Sequence, residues 1–308
     1  MGDVQHDPLD PLSGLDTRSA DVVVGLLDAA TDANLNSECR QGCVDVVEGR
    51  GTLVATGDLH DNPINFARVL KVARLDDATE DSPRRVILHE VIHSERLMGG
   101  VDMSHRALLR VAALKVRHPE SVHTLLANHE LSQIVGSGII KDGVRVVDAF
   151  NDGLAMGFAD RAEEVEEAIG RFIRSMPLAL ICGRGTDRAV LCAHSLPAEN
   201  MMDRFDPSVL DRPLTEDDYE PRQGSAHIMV WGRAHSPDHL TRLADAWGVS
   251  LFVLGHQKAE TGVATMPPNA IILNSDHERG VVLPIDLAEP PTIEEAAWSA
   301  TPLAGVSV

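Results

Sequence analysis

Aromatic residues are scarce in this 308-residue chain, with three Trp, one Tyr and six Phe making up 3%. The core must therefore rest on Leu, Val, Ile and Ala. Platforms for stacking nucleic-acid bases, which need exposed rings, are not expected. Cations are also in short supply. There are 27 Lys and Arg against 47 Asp and Glu, a net charge of -20. So acidic a surface repels a phosphate backbone, which argues against a nucleic-acid polymer as partner. A small anionic substrate is still compatible with this balance, because local cations or metals set the field inside a cleft.

Cysteine is limited to Cys39, Cys43, Cys182 and Cys192, with no CxxC pair. Cys39 and Cys43 would share a face if their segment were helical, and Cys182 and Cys192 sit in apolar runs. Free thiols in a reducing cytosol are expected, rather than a disulfide or a metal knot. No stretch approaches the ~18 apolar residues of a membrane span. Residues 1–17 lack the basic and apolar regions of a signal peptide. The composition predicts a cytoplasmic protein with no membrane partner, and nothing in it sets an oligomeric state.

Hydrophobic residues reach 44%, enough for one large α/β domain or two modest ones. Residues 1–43 read as a leader and a helix, 44–287 as the main domain, and 288–308 as a peripheral tail. Helices are predicted over 19–33, 63–75, 103–117 and 163–175 from apolar spacing, with Pro63 in a first turn. Val44–Val47 and Thr52–Ala55 read as strands paired across the turn 48–51. Further strands are expected at 85–88, 122–126, 178–182, 189–193, 251–254, 270–274 and 280–287, with 178–182 and 189–193 forming a hairpin. Residues 198–226 are irregular and acidic, and read as an excursion over the site. The rhythm of strand, polar loop and helix predicts α/β units with a site at the carboxyl ends of the strands.

Chemistry-bearing residues gather where those strands should end. Gly57-Asp58-Leu59-His60-Asp61-Asn62 follows Thr52–Ala55, and Asn128-His129-Glu130 follows Val122–Leu126. His194 and His256 each follow an apolar run. Asp58 and His60 stand two apart, so on extended chain one metal can take both. Asn128, His194 and His256 are neutral ligands suited to a second ion. Glu90, after Arg85–Leu88, is the one acid at a strand end in the right region to bridge them. Two divalent ions so held would polarise water for in-line attack on phosphorus. His129, beside Asn128, is placed to donate a proton to the leaving oxygen.

These blocks resemble the signature of the calcineurin-like metallophosphoesterases, most closely the PPP-type serine/threonine phosphatases. Gly57-Asp58-Leu59-His60, Asn128-His129-Glu130, His194 before Leu196-Pro197, and Gly255-His256 stand in that family's order. The run 115–121, Trp231 and the segment 274–280 are similar to its other stretches, so the likeness spans about residues 50–287. It implies a central β-sandwich flanked by helices. It also implies two ions (Mn, Fe or Zn), with Asp58 and His60 on the first and Asn128, His194 and His256 on the second. His129 would be the general acid and a metal-bridging hydroxide the nucleophile. The implied substrate is a phosphoprotein or a small phosphate ester; bacterial diadenosine-tetraphosphatases share the same blocks.

The second block departs from the family. GDxVDRG is replaced by His89-Glu90-Val91-Ile92-His93-Ser94-Glu95. Glu90 stands for the bridging Asp, His93 for the Asp that orients the catalytic histidine, and Ser94 for an arginine clamp. Arg96 and Arg233 are the candidate phosphate clamps that remain. His89 and His93 read either as extra ligands or as polar loop residues. Leu126-Ala127 replaces a basic residue before Asn128, and Asp61 replaces the glycine of GDxHG. The lost Asp and Arg leave a second reading: a degenerate relative that binds metal or a phosphorylated partner without turnover.

Overall fold

The computed structural model describes residues 9–136, 139–141 and 143–308. The first eight residues of the expected leader lie outside the described residues. Residues 9–17 form turns, with Leu9 and Leu12 packed against the core.

The chain opens with α1 (Ala20–Leu35), β1 (Arg40–Gln41), β2 (Val44–Val47) and β3 (Thr52–Thr56). Then come α2 (Pro63–Ala73), β4 (Arg84–His89), α3 (His105–Arg117), β5 (Val122–Leu125) and α4 (Asn128–Val135). A small hairpin, β6 (Ile140–Lys141) and β7 (Val144–Arg145), leads into α5 (Val146–Phe158) and α6 (Ala162–Arg174). The second half carries β8 (Ala179–Cys182), β9 (Val190–Ala193), α7 (Ser225–Val230), α8 (Pro237–Trp247) and β10 (Leu251–Leu254). It closes with β11 (Val263–Met266), β12 (Ala270–Leu273), β13 (Val281–Asp286), α9 (Ile293–Ser299) and β14 (Thr301–Pro302).

Two sheets face each other. One runs β1-β2-β8-β9-β10-β12-β11 and the other β14-β13-β3-β4-β5. Between them lies an aliphatic layer that includes Leu53, Ala55, Ile87 and Leu125 from one sheet and Leu180, Val190, Val253 and Ile271 from the other. The outer faces are covered by helices, with Val54, Val86, Leu88 and Val122 packed against that second layer. Strands buried on both faces need no polar alternation. That is why their sequences are unbroken apolar runs and why the α/β sandwich was readable from them.

The same property misleads about pairing. β2 and β3 do not form the hairpin that the turn 48–51 predicts. β2 pairs in parallel with β8, while β3 pairs with β4 and β13 in the other sheet. With both faces of each strand apolar, nothing local fixes a partner. Gly51 (φ 82°) hands the chain across, so close to Pro83 that a Cβ would lie 2.2 Å from its carbonyl oxygen. The expected hairpin of β8 and β9 does form.

Two further segments differ from expectation. Residues 198–226 hold three short 3₁₀ turns and bury Phe205, Val209, Leu210 and Tyr219. They lie against β1, β2 and α6, where Cys43 meets the Val209 carbonyl and Tyr219 donates to the Arg174 carbonyl. None of them lines the cleft described below. Residues 288–308, read as a peripheral tail, supply α9 and the edge strand β14, with Ile293 and Ala296 in the layer between the sheets. Cys39 and Cys43 flank the β1–β2 turn rather than sharing a helix face, and all four cysteines are free thiols. Among the described residues no helix is long and apolar enough to cross a membrane.

Candidate metal centre

Five strands deliver polar loops to one end of the sandwich: β3 leads to Asp58 and His60, β4 to Glu90, β5 to Asn128 and His129, β9 to His194, and β10 to His256. Close approach of backbones makes this end compact. A Cβ on Gly57 would lie 1.9 Å from the Leu273 carbonyl oxygen, and one on Gly255 would lie 2.4 Å from Asp58 Oδ1. Glycine is thus required at both positions. The amides of Leu59 and His60 donate to the Glu90 carbonyl at 3.0 and 2.8 Å. Glu130, buried on α4, accepts from the amides of Val91 and Ile92. Burial raises the Glu130 carboxyl to about 7. His60, Glu90, His93 and His256 all have left-handed backbone, at φ 39°, 47°, 60° and 66°. Each such residue costs about 1–2 kcal/mol. Strain of this kind persists where the surroundings over-determine it, and it gathers at functional sites.

The side chains converge on Glu90. Its Oε1 lies 2.9 Å from His60 Nε2 and 3.9 Å from His129 Nε2, and its Oε2 lies 2.8 Å from His194 Nε2. That same His194 Nε2 is 2.6 Å from Asn128 Oδ1 and 3.0 Å from His256 Nδ1. Asp58 Oδ1 accepts the His256 amide at 2.9 Å and stands 3.7 Å from His194 Nδ1. All of these residues are buried.

Carbonyl partners fix several ring tautomers, because a carbonyl can only accept. The Ile92 carbonyl accepts from His60 Nδ1 at 3.1 Å, which turns Nε2 towards Glu90. The Thr56 carbonyl meets His89 Nε2 at 2.9 Å. Burial keeps His89 neutral, down to about 4, so its Nδ1 accepts from His194 Nδ1 across 3.1 Å. His194 Nε2 is thereby aimed at Asn128, Glu90 and His256. Orientation of ligand imidazoles by carbonyls and neighbouring rings is a recurrent feature of metal sites.

The carboxylates and histidines of the cluster shift one another. Burial, with Glu90 nearby, raises Asp58 to about 6. Burial works against a charge on Glu90, but His194, His129 and His60 outweigh it and hold the carboxyl well below its usual range. The same contest raises His60 to about 9, with Glu90 overcoming burial. Burial, then His194, lowers His256 to about 2.

The residues present fit divalent cations. Asn128 Oδ1, Glu90 Oε2 and His256 Nδ1 crowd one histidine nitrogen, and a single ring proton can serve only one of them. Glu90 Oε2 is buried without an aligned hydrogen-bond partner. Surplus buried acceptors are costly unless a cation answers them. At this site three sets of residues hold ligand atoms within 4.8 Å of one another: Asp58, His89 and His194; His60, Glu90 and His129; and Glu90, His194 and His256. Nitrogen and oxygen donors of this kind suit Mn, Fe or Zn.

No protein-family model matches the sequence, and no curated protein matches it. Solved structures do. A protein serine/threonine phosphatase from Saccharomyces cerevisiae superposes with a TM-score of 0.60 over 87% of this chain and 83% of its own, at 15% identity. A cold-active protein-tyrosine phosphatase of the psychrophile Shewanella sp. gives 0.55 over 84% and 85%, also at 15% identity. The chain has a PPP phosphatase-like fold. At this identity the likeness is one of architecture.

In this phosphatase-like fold the cluster floors a cleft of about 610 Å³. Asp58, His60, Glu90, Asn128, His129 and His256 line it. Arg233 stands on its wall, as do Lys141 and Lys258, which carried no signal in the sequence. Arg96 is not on the wall. Its guanidinium donates to the carbonyls of His60 and Asp276, tying two loops together. His89 was open between ligand and bystander from sequence, and it lies against His194. His93 lies 3.1 Å from His129, ring nitrogen to ring nitrogen.

Proposed function

We propose that this chain is a metal-dependent phosphoesterase with a dinuclear centre. The observation that carries the reading is the crowding of Asn128, Glu90 and His256 acceptors on His194 Nε2. Asp58 and His60 would hold one ion and Asn128, His194 and His256 the other, with Glu90 shared between them. The contacts of its two oxygens with His60 and His194 support that sharing. When bound, the ions supply Lewis acidity and a nucleophile at neutral pH. Arg233 offers an exposed guanidinium for phosphoryl oxygens, and Lys141 offers a second cation. We assign Arg96 to holding the His60 loop in register. His129 Nε2 donates the proton to the leaving oxygen.

The substrate class is a phosphate monoester on a protein or a small molecule, consistent with an open cleft whose wall carries Arg233, Lys141 and Lys258 beside Glu95, Glu260 and Asp276. The test is hydrolysis of p-nitrophenyl phosphate by purified chain with added Mn²⁺. Turnover is expected, and His129→Ala should lower kcat by about 10²–10⁴-fold. Full activity of both Asp58→Asn and His129→Ala would sink the reading. Two bound ions with no turnover would favour the degenerate, binding-only alternative.

A further inference from the structure

Among the described residues no carboxylate stands behind His129; His93 lies there instead. Its ring is held between His129 and Gln133. His93 Nδ1 is 3.1 Å from His129 Nδ1, and His93 Nε2 is 3.0 Å from Gln133 Oε1. Gln133 Nε2 donates to Asn151 Oδ1 at 2.7 Å, and Asn151 Nδ2 donates to Glu166 Oε1 at 3.2 Å. Phe150, fully buried, packs edge-on against the His93 ring and walls this chain of bonds.

The direction of every bond follows from the last one. Both rings are buried, and burial disfavours a second proton on His93. Their Nδ1 contact then holds a single proton, which could sit on either ring. Amide orientation decides, and it is set by what each amide meets. Glu166 is an exposed carboxylate and only accepts, so Asn151 turns its NH₂ outward and its oxygen to Gln133. Gln133 must then donate to Asn151 and present its own oxygen to His93 Nε2. His93 Nε2 carries the proton, His93 Nδ1 is bare, and His129 Nδ1 carries the shared proton. His129 Nε2 takes no part in this chain of bonds and faces Glu90 and the cleft.

We propose that Gln133 and Asn151, acting through His93, are positioning residues that fix the His129 ring with Nε2 turned to the reacting centre. Neutral amides thereby replace the carboxylate that the second block lacks. The ring orientation stands on geometry alone; its use in proton donation rests on the hydrolase reading.

The test is a long-range ¹H–¹⁵N spectrum of the full chain labelled at histidine and loaded with diamagnetic Zn²⁺, with His129 assigned by loss of its signals in His129→Gln. The wild type should show His129 protonated at Nδ1. Gln133→Leu should mix the two tautomers and lower kcat about 10–100-fold with KM nearly unchanged. Gln133→Glu, which still offers an acceptor, should restore the wild-type pattern. A wild-type His129 ring bare at Nδ1, or a Gln133→Leu spectrum unchanged from wild type, would overturn the proposal. If Gln133→Leu fails to fold, Asn151→Leu should give the same mixing. The expected spectra without any phosphatase turnover would uphold the positioning and sink the hydrolase reading instead.

Discussion

Two buried polar clusters sit in this molecule, and they are built on opposite logic. One is the group around Glu90. The other joins the facing edges of the two sheets, where Asp45 on β2 meets His123 on β5. Both Asp45 and His123 are fully buried, yet each Asp45 oxygen has its own donor: Arg40 Nε at 2.7 Å and His123 Nδ1 at 2.8 Å. Lys115, buried nearby, is spent on the carbonyls of Pro119 and Val122. Cys39, Asp45 and His123 do come within ligand reach of one another, but the cations Arg40 and Lys115 already answer the charge. Around Glu90, among the described residues, no Lys or Arg makes a contact; its partners are the rings of His60 and His194, and His194 Nε2 is shared with Asn128 and His256. Proximity of His, Asp and Cys therefore says little. The balance of donors against acceptors separates a structural network from a cation site.

The comparison can be broken in several ways. The largest effect is expected at Asp45. Asp45→Ala leaves Arg40 and His123 buried without their acceptor and should cost about 3–5 kcal/mol of stability, read by urea unfolding, with metal uptake unchanged. Next, Mn²⁺ at about 100 times its dissociation constant should stabilise the wild type by about 2.7 kcal/mol. Asp45→Ala should gain as much, and Glu90→Gln nothing; an equal gain in Glu90→Gln would remove Glu90 from the site. A smaller effect is expected behind the ligands. His89→Leu takes the acceptor from His194 Nδ1 and should weaken metal binding about tenfold, roughly 1.4 kcal/mol, whereas His89→Asn keeps an acceptor and should lose less. Titration calorimetry reads both.

The smallest effect is in pH. Burial works against the charge on Asp45, but His123 and Arg40 outweigh it and hold the carboxyl below its usual range. A depressed folded value means stability that is present above the unfolded value near 3.9 and lost as pH falls through the folded one. Between about pH 5 and pH 3.5 the stability gap between wild type and Asp45→Ala should narrow by roughly 0.7 kcal/mol. A gap that widens on acidification would contradict the pairing.

The strand-end clusters were legible because an apolar run that stops at Asp, His or Asn is a local pattern. Asp58, His60, Asn128, His194 and His256 all converge. What was not legible depends on tertiary placement. The partners of β2 and β3 are chosen by sheets assembled from distant segments. The direction in which His89 and His93 point follows from left-handed backbone at Glu90 and His93, which sequence does not announce at non-glycine residues. Arg96 looked available but is drawn to carbonyls that come near it only in the fold. Lys141 sits on a two-residue strand with no pattern around it. The helix α8, by contrast, carries local signals of its own: Ser236 caps it, Pro237 opens it and Gly248 closes it.

The central claim is that surplus acceptors around Glu90 mark a cation site and that matched partners around Asp45 do not. Metal content after dialysis against Mn²⁺, measured by elemental analysis on wild type, Glu90→Gln and Asp45→Ala, tests it most directly. Two ions per chain in the wild type and in Asp45→Ala, with fewer in Glu90→Gln, is the predicted result. Equal content in wild type and Glu90→Gln, or loss of metal in a folded Asp45→Ala, would contradict it.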